Sequence, residues 1–239
     1  FMRRALRYAL RQAERPFRAL DRGLRWRLMP YLRSCYLTLR YVDEWSTFPA
    51  IRVLGPFKVR IRKGPGARLV IHRTLQFKFF RGTTGPPSII YLAKQARMVV
   101  EGTFEMGENV RIQLAQGALL ELGGQSATTF SGMPGNCTVY IMRHARIGKD
   151  TGLSWKTLLM DSDWHPMDGA LVPLYTEVGD HVWVCPNVHI LKGARIGNDC
   201  IVATSAVVLA GDYPAKTVVA GIPAKSIAPA PTWSFEGHP

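Results

Sequence analysis

The sequence predicts a mostly β chain, wound as a parallel β-helix and preceded by a helical arm. Two observations point to the β-helix. Aliphatic residues recur at every sixth position, at Val178, Val184, Ile190, Ile196, Val202 and Val208. Four residues after each of the first five stands a second apolar residue, smaller or of modest size: Val182, Val188, Ala194, Cys200 and Ala206. A 3.6-residue helical period would drift off such a face, and an ordinary strand alternates every second residue. Six-residue spacing with two inward side chains fits a coil of short strands and turns, three of which close a triangular prism. The third observation is the amino-terminal stripe of Leu6, Leu10, Ala13, Phe17, Leu20, Leu24 and Leu28, at helical steps of three or four with arginines on the other side.

Taken in order, residues 1–40 read as an Arg-rich amphipathic arm. They hold eleven arginines against Glu14 and Asp21. Pro16 and Pro30 are expected to break or restart the helix. The apolar stripe suits packing on the prism or on a neighbouring subunit. It equally suits an anionic membrane surface, where an Arg-rich polar face is wanted. No nucleic-acid-binding motif accompanies the charge, so nucleic acid is not expected as a partner. Residues 41–90 turn to β-type sequence, with Ile51, Val53, Phe57, Val59, Ile61, Leu69 and Ile71 between Gly-Pro breaks. They read as irregular first coils or as a cap over the prism end.

Residues 91–228 carry the regular prism. Val100, Met106 and Ile112 have Phe104, Val110 and Gln116 at plus four, and residues 123–136, rich in Gly, Ser and Thr, read as a loop. Ile141, Ile147, Leu153 and Leu159 follow, with Ala145, Thr151, Thr157 and Asp163 at the inward plus-four position. The phase then breaks until Val178. Residues 229–239 form a Pro-rich surface tail.

The 239 residues suffice for one elongated domain with an appendage. No apolar run approaches the ~20 residues of a membrane span. The arginine-rich start lacks the apolar core of a secretory signal, so a cytoplasmic protein is expected, with the inner membrane face as a peripheral site. Cys35, Cys137, Cys185 and Cys200 lack metal-ligand spacing and suit reduced thiols. The histidines show no metal-type pair, and no metal is expected.

Chemistry is expected at the phase break, in Asp161-Ser162-Asp163-Trp164-His165. A hydroxyl is a poor nucleophile until a base takes its proton. Neutral imidazole has a suitable pKa, and a carboxylate on its other nitrogen fixes the tautomer. His165 offers such an imidazole, and Asp163 or Asp161 such a carboxylate. At its inward position Asp163 is equally placed to bond backbone in the turn. His181 and His189 fall at outward repeat positions.

Two runs resemble the carboxy-terminal signature of hexapeptide-repeat acyltransferases. They are Val182-Trp183-Val184 with Ile190–Val202, and Val219-Ala220-Gly221-Ile222-Pro223-Ala224-Lys225. The block ending in His165 resembles the Asp-x-Asp-Phe/His-His segment of members that O-acetylate surface polysaccharides, with Trp164 in the aromatic slot, and that resemblance implies His165 as catalytic base with Asp163 or Asp161 as its partner. The resemblance implies a left-handed β-helix, a homotrimer and acetyl-CoA as acyl donor. It further implies direct transfer to a sugar hydroxyl of a polysaccharide, or of a lipid-linked precursor. Trp183, Thr204, Ser205 and Lys225 match donor-contacting positions, and Asn136 and Trp164 are candidate acceptor contacts. Two departures stand out. Cys185 replaces the family's Gly, and Leu209-Ala210 replaces its Thr-Lys, which leaves Lys192, Arg195 or Lys216 to supply a phosphate contact. A small-molecule acetyltransferase and a non-catalytic trimeric scaffold are the competing readings.

Overall fold

A computed structural model describes residues 22–55, 57–78, 85–126, 130–166 and 168–235, with side chains in the first helix described from Leu28 onward. Residues 1–21, and with them most of the amino-terminal stripe, lie outside the described residues. The remainder of the arm is helix α1, Arg22–Tyr41. Pro30 lies inside α1 and does not break it. Proline's lack of an N–H leaves one carbonyl a turn earlier without its helical partner, and the helix runs on past that gap.

From Glu44 onward the chain is a left-handed parallel β-helix. Among the described residues its strands stack into three sheets of eight, nine and seven strands, here called sheets I, II and III. Each coil contributes one strand to each sheet in turn, so neighbours within a sheet are consecutive coils. Residues 44–92 belong to the same three sheets as the coils that follow. In sheet I, for example, Ile71 pairs with Val100, Val100 with Leu122, Leu122 with Ile147, Ile147 with Val178 and Val178 with Ile196. All six are buried inside the prism. Full burial of each such side chain contributes about 1.5–3 kcal/mol, so one inward column is a large share of the fold's stability.

The hexad period also has a conformational cause. His181, Asn187, Gly193, Asp199 and Ser205 fall at six-residue intervals and have φ of 52, 62, 76, 56 and 62°. Each edge of the prism is turned by one left-handed residue, which Gly, Asn and Asp adopt at least cost. The inward plus-four residues follow directly after these turns, and Val182, Val188, Ala194, Cys200 and Ala206 are all buried.

The N-terminal end of the prism is plugged by α1. Leu37 is buried against the first coil, where Ile51 N–H donates to Thr38 Oγ1 (3.0 Å) and Val53 N–H to Ser34 Oγ (2.9 Å). These amides belong to the terminal strand of sheet II, and the two hydroxyls satisfy donors that no further coil is present to accept.

Three sequence expectations change. Residues 123–136 are not all loop, because Gly132–Gly135 forms a strand of sheet II beside Thr103–Glu108. Gly132 is required there, since a Cβ would sit 2.1 Å from the Glu105 carbonyl oxygen. Gln116 is exposed, not inward. The chain runs on from Ile112 through buried Leu114, turns at Gly117 (φ 70°) and next points inward at Ala118. Asp163 is also exposed, for the reason given below.

Candidate active site

Met160 ends a strand of sheet III and Thr176 begins one of sheet I, so the phase break is a loop leaving the III/I edge of the prism. Asp161 holds its base. This residue is fully buried, and its carboxylate accepts the backbone N–H groups of Met142 (2.7 Å), Arg143 (2.7 Å) and His144 (2.9 Å) at the same edge one coil earlier. Its carbonyl accepts Leu174 N–H (2.8 Å), which closes the loop at its neck. Asp161 is thereby committed to the backbone and bonds no imidazole. Because the chain leaves the prism here, the next inward side chain is Thr176, and the plus-four count that placed Asp163 inside no longer applies.

Asp163 instead reaches along the edge to Lys192, one coil further, in an ion pair. Trp164 takes a left-handed φ of 62° and packs edge-on against Tyr140, with ring centroids 5.8 Å apart at 75°. Its indole N–H is shielded from solvent and has no hydrogen-bond partner among the described residues. Gln113, Tyr140, Leu158, Met160, Asp163 and Trp164 line an open groove of about 410 Å³ on the outer face of sheet III. Gln113, Tyr140 and Met160 are successive rungs there. His165 follows Trp164 directly, is exposed, and makes no hydrogen bond with any described residue. The imidazole therefore stands one residue beyond the groove's wall, with no hydrogen-bond partner among the described residues.

The other candidates lie elsewhere on the prism. Asn136 turns the II/III edge (φ 53°) and its side-chain oxygen accepts the Asn109 amide at 2.9 Å. Thr204 and Ser205 lie on the same edge two coils beyond Trp155 and Lys156, and Ser205 Oγ accepts the Asn187 amide at 3.0 Å. Trp183 stands on the outer face of sheet II, with its indole N–H near Ser154 Oγ (3.4 Å). Lys225 is exposed in the terminal antiparallel strand Ala224–Pro229, opposite Ala220. Asn136, Thr204 and Ser205 are thus at one edge of sheet III and His165 beyond the other, with the width of the sheet and one or two coils between them.

Of the substitute cations, Lys192 is paired with Asp163, and Arg195 is held by both oxygens of Asp212 (2.5 and 2.9 Å). Lys216 sits in a left-handed turn with its side chain exposed. Two of the thiols are poor nucleophiles. Burial pushes Cys137 up to about 11, and burial likewise raises Cys185, opposed by a hydrogen bond with Thr204. Among the described residues no three His, Cys, Asp or Glu side chains converge as a metal site would require.

Two features escaped sequence reasoning. The groove rungs Gln113, Tyr140 and Met160 lie 27 and 20 residues apart, and no fixed period links them. The tail is more than surface. Trp233 stacks on His181 (4.1 Å, 5°), and Phe235 meets Phe130 edge-on at 5.0 Å, so residues 230–235 run back over sheet II. Alternation of Trp233 and Phe235 was the one available signal.

The description "Bacterial transferase hexapeptide (six repeats)" matches residues 175–210. "Putative lipopolysaccharide biosynthesis O-acetyl transferase WbbJ" of Escherichia coli (strain K12) is 31% identical over 144 residues, 53% of this chain and 72% of that protein. The crystal structure of the polysialic acid O-acetyltransferase OatWY superposes with a TM-score of 0.55 at 19% identity, covering 82% of this chain and 90% of that one. At that identity the likeness speaks for the fold alone.

Proposed function

The chain belongs to the bacterial hexapeptide transferase family and is an acyltransferase, and from that premise we propose an acetyl-CoA-dependent O-acetyltransferase acting on a sugar hydroxyl of a surface polysaccharide or its precursor. The observation that carries this reading is His165, exposed and without a partner among the described residues, one residue beyond the wall of the aromatic groove. Aromatic rings suit the apolar faces of sugar rings, and Gln113 and Asp163 offer polar groups to hydroxyls. The E. coli relative, named for lipopolysaccharide biosynthesis, supports a glycan acceptor.

In this mechanism His165 takes the acceptor hydroxyl's proton as the oxygen adds to the thioester carbonyl. The tetrahedral adduct collapses with loss of the thiolate, which receives the proton from the imidazolium. No covalent acyl-enzyme forms, in keeping with buried, protonated Cys137 and Cys185. Trp183, Thr204, Ser205 and Lys225 would hold the donor. They lie on sheet II, on its edge with sheet III and on the terminal hairpin, across the prism from His165 of the same chain. A homotrimer that sets the III/I edge of one prism against the II/III edge of the next would unite them, and that neighbour would also supply Asn136.

The test is thiol release from acetyl-CoA with and without glycan acceptors. His165→Ala is expected to lower turnover by ~10²–10⁴-fold while leaving a folded oligomer. Asp163→Asn, which breaks only the pair with Lys192, is expected to cost less. A His165→Ala protein that keeps most of its acceptor-dependent activity overturns the assignment.

A further inference from the structure

We infer that the N-terminal end of the prism is a docking face for an anionic membrane surface, with α1 as both its plug and its contact element. The strands of the first coil terminate all three sheets at this end. Helix α1 lies across it and contacts the coil through Arg33, Ser34, Leu37 and Thr38. Another side of the same helix carries Leu28, Leu32, Cys35 and Leu39 at steps of four and three, with Tyr31 beside them, and Tyr31 is 53% and Leu39 66% exposed. Trp45 (40%), Phe48 (48%) and Leu54 (46%) continue the apolar exposure onto the first coil, where Trp45 and Phe48 pack at 6.4 Å. Large apolar side chains gathered at one end of a water-exposed prism are unusual unless something covers them.

Charge identifies the cover. Arg52, Lys58, Arg60 and Arg62 on the first coil are exposed, and none has an acidic partner among the described residues. The two acids beside them are already engaged, Asp43 with Lys63 and Glu44 with Arg68. The outer face of sheet I is the contrast. There Arg146 pairs with Glu177 and Asp180, and Arg195 with Asp212, so both of these arginines are neutralised. The sequence that precedes α1 adds Arg3, Arg4, Arg7, Arg11, Arg15 and Arg18. Exposed aromatic and aliphatic side chains ringed by unpaired Arg and Lys match an interface of acyl boundary and anionic headgroups. A soluble acidic polymer would use the cations but leave the apolar groups in water. No helix among the described residues is long and apolar enough to cross a membrane.

Cosedimentation of the full chain with phosphatidylcholine vesicles containing phosphatidylglycerol tests this, with pure phosphatidylcholine vesicles and soluble dextran sulfate as comparisons. The expected result is salt-sensitive binding to the anionic vesicles, at least tenfold tighter than to the neutral ones. Arg52→Glu with Arg60→Glu and Arg62→Glu is expected to weaken vesicle binding by roughly a hundredfold, at about fivefold for each basic residue lost. Leu39→Ser with Leu54→Ser, both at exposed positions, is expected to weaken vesicle binding about tenfold and leave dextran sulfate binding unchanged. Equal binding to neutral and anionic vesicles overturns the inference. So does binding that ignores the charge reversals, or an apolar pair of substitutions that leaves vesicle binding intact. Neither the vesicles nor these residues enter the acyl-transfer assay with a soluble acceptor, so the two readings fail separately.

Discussion

Asp161 and Asp163 are two residues apart, and their surroundings set them to different tasks. Asp161 is fully buried with three backbone amides on its carboxylate, whereas Asp163 is exposed and paired with Lys192. Removing the buried acceptor strands three N–H groups, each costing about 1–3 kcal/mol when buried and unmatched. Asp161→Ala is therefore expected to lower stability by about 3 kcal/mol or more, read as a fall in the unfolding midpoint. Asp163→Asn, a surface pair worth at most ~1 kcal/mol, should barely move that midpoint. A neutral Asp161→Ala protein would show that the amides find another acceptor. The sequence singles out His165 as a candidate, because a lone Asp-Trp-His run at a phase break stands out from its neighbours. It could not separate the two carboxylates. The amides that claim Asp161 lie 17 to 19 residues earlier in the chain, and only the coil register brings them to it.

At the level of elements, the reach of the hexad pattern depends on how often a coil keeps its length. Along one inward column of sheet III the paired residues are Ile61, Ile90, Ile112, Val139, Leu159, Ile190 and Val208. Only the last step, Ile190 to Val208, has the 18 residues of three uninterrupted hexads. The earlier steps absorb loops, which is why the last coils could be read residue by residue while residues 41–90 could be read only as β-type sequence. Helix α1 posed a different difficulty. Its contact with the prism is polar at two of the decisive positions, and an apolar periodicity does not reveal a helix face carrying Ser34 and Thr38. These hydroxyls cap the exposed amides of Val53 and Ile51. Ser34→Ala with Thr38→Ala should cost about 2 kcal/mol, near 1 kcal/mol for each hydrogen bond. Amide exchange at Ile51 and Val53 should accelerate ahead of the deeper coils. Exchange that stays slow at both positions would mean that the plug holds by Leu37 alone.

For the whole molecule, the arrangement of the candidate residues makes a prediction about assembly. One prism carries His165 at its III/I edge and Asn136, Thr204 and Ser205 at its II/III edge, with sheet III between them. If a working site takes its base from one chain and its donor groove from the next, two inactive proteins can repair each other. His165→Ala keeps an intact II/III edge. Thr204→Arg, a bulky block on that edge, keeps an intact base. Each alone should show little turnover. In cyclic trimers assembled from equal amounts of both, a site is whole whenever a blocked chain lends its His165 to the edge of a His165→Ala neighbour, which random mixing gives for about a quarter of the sites. Co-refolding the two variants should then restore roughly a quarter of the wild-type rate, and separately refolded variants combined afterwards should not. A site contained within one chain gives the opposite result, because no chain in the mixture has both parts, and the rate would stay at the level of the single variants.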